Sequence, residues 1–180
     1  MKEWFERFKE SVNENVSSHC AGNIMGDCEE FHIACPISKR VKNINELMKN
    51  LDNSVDREMS IEIIEQCGRK CIDNSIIHKV KEIKNSCENI DSFINKLREI
   101  KFAGGDIHNH GNVIYLNYPQ CYCEWVDEEK GKMPAAYCNC SKGWVKQLFE
   151  NVIDKEVKVE LICSIIQGGD KCRFRIYLPE

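Results

Sequence analysis

The sequence predicts an α+β fold in which N-terminal helices pack on a C-terminal antiparallel sheet carrying one inserted helix. Three observations predict it. Over residues 1–103 apolar side chains recur every three or four positions, the period of a helix with one buried face. After residue 103 the period drops to two, that of a strand buried on one side. At the end of the chain, two alternating runs flank Gln167-Gly168-Gly169-Asp170, a turn sequence, and so read as a hairpin. The 180 residues suffice for one well-cored domain and are short for two. With no linker, repeat or low-complexity tract inside it, 1–180 reads as a single domain, mainly helical to 103 and a cysteine-rich sheet and helix over 104–180.

Taken in order, Trp4, Phe8, Val12 and Val16 form one apolar stripe on a first helix. The stretch from Cys20 to Pro36, with Gly22, Gly26 and three cysteines, reads as loop. Asp56 caps a helix whose inner face carries Ser60, Ile63, Ile64, Cys67 and Cys71. Gly68 weakens that helix by roughly 1 kcal/mol relative to Ala, so its end is expected nearby. Ile77, Val80, Ile83 and Cys87 mark another helix, and Asp91 is expected to cap one carrying Phe93, Ile94, Leu97 and Ile100.

In the second half, Gly104-Gly105-Asp106 and Gly111 read as the two sides of a turn, and Val113–Tyr118 as a strand. Pro119 would disturb a central ladder, so this strand is expected to bend, bulge or sit at an edge there. Asp127 to Pro134 reads as a solvated loop. Gly143 to Ile153 reads as the inserted helix, with Trp144, Leu148 and Val152 on one face. In the final hairpin Val157, Val159, Leu161, Cys163 and Ile165 alternate with Lys158, Glu160, Ile162, Ser164 and Ile166, and Cys172, Phe174, Ile176 and Leu178 answer them on the return strand.

Composition excludes several classes. Hydrophobic residues at 42% and charged residues at 30% are the balance of an ordinary globular protein. A net charge of −4, with Lys and Arg scattered, gives no footprint for nucleic acid. No apolar run approaches the ~20 residues of a membrane span. Met1 to Glu10 mixes charge with aromatics and lacks the apolar core of a signal peptide, so the expected location is cytoplasmic.

The exceptional number is twelve cysteines. In a reducing compartment, such density reads as metal or redox chemistry rather than disulfides. Cys121-Tyr122-Cys123 and Cys138-Asn139-Cys140 are two Cys-X-Cys pairs close in sequence. Residues two apart on a strand share a face, so each pair is expected to offer both sulfurs to one side. Thiolates are soft ligands suited to zinc, copper(I) and iron–sulfur clusters. A Gln167–Asp170 pairing would make Cys163 and Cys172 diagonal neighbours on one face, ~7–8 Å apart at the backbone. Sulfurs on one zinc lie ~3.8 Å apart, given Zn–S of about 2.3 Å, so a larger iron–sulfur cluster is the alternative to zinc. The expected metal ligands are Cys121, Cys123, Cys138, Cys140, Cys163 and Cys172.

The run Cys138-Asn139-Cys140-Ser141-Lys142-Gly143-Trp144, then Ile153 to Glu160, Cys163, and Gly169-Asp170-Lys171-Cys172-Arg173-Phe174 resembles the 4-vinyl-reductase-type domain. That family shows a cysteine and glycine opening a helix, a Gly-Lys-x-Val-x-Val-Glu-x-x-Cys strand and a closing Gly-Asp-x-x-Cys-Arg-Phe strand; here Asp154 replaces the first glycine and only Lys171 separates Asp170 from Cys172. The resemblance covers these C-terminal stretches and not the N-terminal helices. It implies a fold related to the trafficking TRAPP subunits, binding of small hydrophobic molecules, as in phenol-sensing regulators, and a structural zinc near the C-terminus. Carried over by position, the zinc ligands fall on Cys138 or Cys140, Glu160, Cys163 and Cys172.

Tyr115, Tyr118, Tyr122, Trp125 and Trp144 cluster around the strand and helix expected to line a ligand pocket. Cys67 and Cys71 share a helix face and read first as core, with a thiol pair as the functional alternative. Cys20, Cys28 and Cys35, with His19 and His32 nearby, match no ferredoxin spacing. His108 and His110 flank a turn and read as solvated. No Ser-His-Asp order, phosphate-binding glycine loop or HExxH motif is present. The reading is a metal-binding, small-molecule-binding or sensor domain. The alternative is an iron–sulfur redox protein or a thiol-dependent hydrolase of a small substrate. Expected partners are a small hydrophobic or aromatic ligand and a protein partner or second copy of the chain, with no nucleic acid and no membrane.

Overall fold

A computed structural model describes residues 3–125 and 132–179. Of the expected loop from Asp127 to Pro134, residues 127–131 lie outside the described residues. Six helices come first: α1 (Trp4–Asn15), α2 (Ser18–Met25), α3 (Ile37–Ser54), α4 (Arg57–Arg69), α5 (Asn74–Asn85) and α6 (Ile90–Glu99). Strands β1 (Asp106–His110) and β2 (Val113–Tyr118) follow, then helix α7 (Asn139–Ile153), then β3 (Lys158–Cys163) and β4 (Cys172–Tyr177). The sheet is antiparallel in the order β1-β2-β4-β3. The expected α+β arrangement, with helices packed on a C-terminal sheet and one helix inserted in it, is the observed one.

Several local expectations are corrected. The stretch read as loop holds α2, capped by the Ser17 side chain on the Cys20 amide at 3.3 Å. Ala21 and Ile24 are buried, Asn50 donates to the Ile24 carbonyl at 3.2 Å, and Gly26 at φ 51° ends the helix. Packing on α3 thus outweighs the helix-breaking composition. The 18-residue α3 buries Val41, Ile44, Met48 and Leu51, a helical spacing plain in the sequence but not used above. Asn89, not Asp91, caps α6, accepting from the Ser92 amide at 2.9 Å in a reciprocal capping box. Residues 106–110, read as part of a turn, form β1, with only Gly111-Asn112 turning back to β2. Its inward residue is Ile107 alone, so the apolar alternation that announces a strand is missing.

Asp56 caps α4 as expected, accepting from the Met59 amide at 2.9 Å. We expect Asp56→Ala to cost about 1 kcal/mol, read as a fall of about 2–4 °C in Tm. No change in Tm would mean that the cap contributes nothing.

The core has two apolar groups, joined at α7. Trp4, Phe8, Ile24, Phe31, Leu47, Ile63, Cys67 and Cys140 belong to the helical one. Phe93, Leu97, Ile114, Leu116, Phe149, Phe174 and Ile176 belong to the one beneath the sheet, together with Val145 and Leu148 of α7. The crossing of α4 and α7 brings backbone onto backbone. A Cβ on Gly68 would lie 1.8 Å from the Cys140 carbonyl oxygen, and one on Gly143 would lie 1.9 Å from that of Glu65. Gly68 is therefore a contact residue, and α4 ends one residue beyond it. Among the described residues no helix is long and apolar enough to cross a membrane.

Candidate metal centre

The two Cys-X-Cys pairs do not present their sulfurs as strand pairs would. Cys121 and Cys123 lie in irregular chain after β2 has ended at Tyr118. Cys138 closes a short 3₁₀ turn and Cys140 sits in the first turn of α7. Residues two apart on a helix point about 200° apart, so this pair splits. The Cys138 thiol turns to the sheet side and donates to Ser164 Oγ at 3.1 Å, where Cys172 and Cys121 are its charge neighbours, with Cys123 more weakly coupled. Cys140 turns to the helical side, against Cys67 and near Arg7 and Trp4. The second pair divides the same way. Cys121 is coupled to Cys172 and Cys138, whereas Cys123 lies 3.2 Å from Tyr137 Oη and is coupled first to Cys140.

Cys172 points inward from β4 beside Phe174 and pairs across the ladder with Tyr118. Cys163 does not share its face. A bulge between Leu161 and Cys163 sets Cys163 opposite Arg173, and the skipped residue inverts the alternation. Arg173 Nη1 donates to Cys163 Sγ at 3.1 Å, and the Cys163 thiol donates to the Lys171 carbonyl at 3.5 Å. The hairpin turn is also longer than expected. The strands stop at Cys163 and Cys172, and Ser164 O receives the amides of Gln167 at 3.0 Å and Gly169 at 2.9 Å. Glu160 accepts from Tyr177 Oη at 2.7 Å and pairs with Lys158 Nζ at 2.8 Å, so its carboxylate is engaged at the sheet edge.

Burial dominates the electrostatics. It pushes the Cys138 thiol up to about 12, against a partial pull downward from the Ser164 hydrogen bond. Burial and the neighbouring Cys140 likewise push Cys123 up to about 12. Contact with Cys67, then burial, holds Cys140 well above the ordinary thiol range, and burial raises Cys172. Without a metal these groups are neutral thiols at pH 7, and a neutral thiol is a poor nucleophile. None of the twelve cysteines is in a disulfide. Among the described residues no three Cys, His, Asp or Glu side chains converge to hold a metal ion as they stand. Cys121, Cys138 and Cys172, thiols of the type that soft metals take, come from three chain segments and influence one another electrostatically.

A family model matches residues 4–180, nearly the whole chain, and it describes a family of unknown function, DUF6144. The chain belongs to the DUF6144 family. No curated protein matches it.

Of the aromatic residues expected to line a pocket in this DUF6144 chain, Tyr118 and Tyr122 pack together and Trp125 and Tyr115 pack on other side chains. Tyr118 is buried, its ring centroid 5.1 Å from Phe174 and 5.4 Å from Tyr122. Trp125 packs edge-on to Phe31 at 5.9 Å under the Arg40 guanidinium at 5.6 Å. Tyr115 stacks on His108 at 5.0 Å. Trp144 is half-buried rather than on the inner face of α7. None of the five lines a groove of about 1020 Å³ among the described residues. Ser60 and Glu65 of α4, Asn139 and Lys142 of α7, and the edge strand β3 with Val157 before it wall that groove. An ion pair between Lys142 and Glu65 joins its two helices. Sequence reasoning missed this groove because its walls come from three elements far apart in the chain.

The remaining candidates stay apart. Cys20 and Cys28 hydrogen-bond to the carbonyls of Ser54 at 3.8 Å and Glu29 at 3.7 Å, and His32 lies 3.8 Å from Glu30. His110 is exposed on β1.

Proposed function

We propose that this DUF6144 protein is a cytoplasmic metal-binding domain that takes up a small ligand in the groove between α4, α7 and β3. The observation that carries the reading is the gathering of Cys121, Cys138 and Cys172 from three chain segments at the start of α7. One ion held by these three thiols would draw the segments together around it, with its remaining position open to another donor. Zinc is the preferred metal, because a sulfur-rich set of this kind suits tetrahedral structural zinc. The resemblance to 4-vinyl-reductase-type domains supports the same choice. It also supports a small hydrophobic or aromatic ligand, which the groove has the volume to admit, while Arg57, Glu65, Lys142 and Lys158 in its walls would engage a polar group of that ligand. Asn139, the residue between Cys138 and Cys140, lines that groove, so metal and ligand would meet at one turn of helix. The domain acts as a binding or sensor module, with its output passing through a protein partner or a second copy.

An iron–sulfur cluster is the second reading, favoured by the wide setting of the sulfurs, which suits a larger inorganic core. The upward-shifted thiols weigh against a thiol-dependent hydrolase.

The test is metal analysis of anaerobically purified protein together with its absorbance. Colourless protein with bound zinc is the expected result, and brown protein with iron would replace zinc by a cluster. Cys172→Ser should lose metal. Cys87→Ser should keep it, because Cys87 is half-buried against the sheet-side core and its substitution costs only packing, on the order of 1 kcal/mol. Metal-free protein from metal-replete cells, or full occupancy in Cys172→Ser, would overturn the proposal.

A further inference from the structure

Strand β3 ends the sheet order, and its free edge forms one wall of the groove. Which main-chain groups face that edge follows from the ladder. The Leu178 amide donates to the Asn112 carbonyl at 2.8 Å, one step beyond the Val113–Tyr177 pair, so Leu178 aims its main chain toward β2. Alternation then turns Ile176 and Phe174 toward β2 as well, and Tyr177 and Arg175 toward β3. Their partners Lys158 and Glu160 therefore bond to β4, while Val159 and Leu161 turn amide and carbonyl outward. Among the described residues no other main chain takes up those outward groups. The Val157 amide, at the start of the same row, is held by Glu150 Oε1 at 3.4 Å.

We propose that an extended segment of a partner protein docks in this groove as a fifth strand on β3, with an acidic side chain on Arg57. The inference rests on the reading of the groove as the binding site and names the partner that uses it. An unpaired edge offers donors and acceptors at the spacing of another extended chain. A lysine on an edge strand ordinarily discourages such pairing, yet Glu160 neutralises Lys158 at 2.8 Å. The opposite wall is helical, from Arg57 and Ile61 of α4 to Lys146 of α7. A single extended chain fits between helix and strand, whereas a second copy pairing edge to edge would bring its own α4 and α7 into the same space. The charges of the lining decide what that chain carries. Lys142 is paired with Glu65, Asp52 accepts from Ser60 Oγ at 2.9 Å, and Lys146 lies 3.9 Å from Glu150. Arg57, exposed at the start of α4, has no partner among the described residues, and neither has Glu156 before β3. A matching segment therefore brings an acidic residue to the helix wall and a basic one to the end of the strand wall. A small ligand in the groove and this segment would exclude each other, so that binding of one releases the other.

The experiment selects binders to the full chain from a displayed library of random peptides about ten residues long, enough to run the length of β3. The enriched peptides are then remade with alternate amides N-methylated, in each of the two registers. Enrichment in Asp or Glu is expected, together with one methylation register that weakens binding about tenfold and one that leaves it unchanged. Only one row of an added strand bonds to the edge, so the two registers must differ. Arg57→Glu, a change at an exposed position, should weaken binding about tenfold. Leu161→Pro removes one outward amide and spares the ladder to β4, so it should weaken binding about fivefold with native helix content by circular dichroism. A library that yields no binder, or binders indifferent to methylation in both registers, would overturn the inference. Dimerisation abolished by Leu161→Pro, without peptide binding, would give the edge to a second copy and overturn it as well. Metal content, measured on the same samples, separates this inference from the metal-binding reading. Metal-free protein that binds such peptides would overturn that reading alone, and metal-loaded protein that binds none would overturn this inference alone.

Discussion

Gly143→Ala should destabilise the protein by about 3 kcal/mol, seen as a fall of about 6–12 °C in Tm. Two effects oppose each other at this position, and their sizes decide the sign. Replacing an interior helical glycine by alanine gains up to about 1 kcal/mol of helix propensity. Against that, the new methyl would lie 1.9 Å from the Glu65 carbonyl oxygen, inside any allowed contact, and the obstacle is backbone. The helices α4 and α7 would have to move apart, loosening the Cys67–Cys140 contact and the Lys142–Glu65 ion pair together. Gly68→Ala meets the Cys140 carbonyl in the same way and should behave alike. Gly22→Ala is the control. It lies in α2 with open space around its would-be Cβ, so it should stabilise by about 1 kcal/mol at most. If Gly143→Ala melts at or above the wild-type temperature, the helices do not cross as described.

Stripping the metal proposed at Cys121, Cys138 and Cys172 should lower Tm by about 10 °C, corresponding to roughly 4 kcal/mol at about 2–4 °C per kcal/mol. The coupling arises because Cys121, Cys138 and Cys172 come from the chain after β2, the start of α7 and the closing strand, and an ion held among them ties those segments together. The effect should be well below that in a zinc finger. Both apolar groups of the core persist without metal, so the stripped protein stays folded. Cys172→Ser should melt near the stripped wild type and respond little to chelator. A chelator that removes the metal without moving Tm would show that the site does not hold these segments together.

Much of the architecture was legible because it rests on periodicity. The stripe of Trp4, Phe8 and Val12, the Asp56 cap, and the alternation of Val157, Val159 and Leu161 against Phe174 and Ile176 each record which face is buried. The abundance of thiols and the absence of a span-length apolar run were equally plain in composition. The arrangement of the thiols was not. A strand rule applied to Cys138 and Cys140 placed both sulfurs on one side, whereas the first turn of α7 separates them. That turn begins four residues earlier than the apolar pattern suggested. Cys163 was turned to the Arg173 face by one extra residue in β3, and no local pattern announces a bulge whose cause is pairing with a strand on the far side of a loop. Gly68 carried opposite meanings at the two levels. Along the chain it is a weak helix former, and in the fold it is the only residue type that lets α7 approach α4. Residue type and spacing thus determined what each segment buries and which metals it would suit. Which sulfurs meet, and where a ligand-sized groove opens, depended on helix crossings and strand register, which are set by contacts between residues remote in sequence.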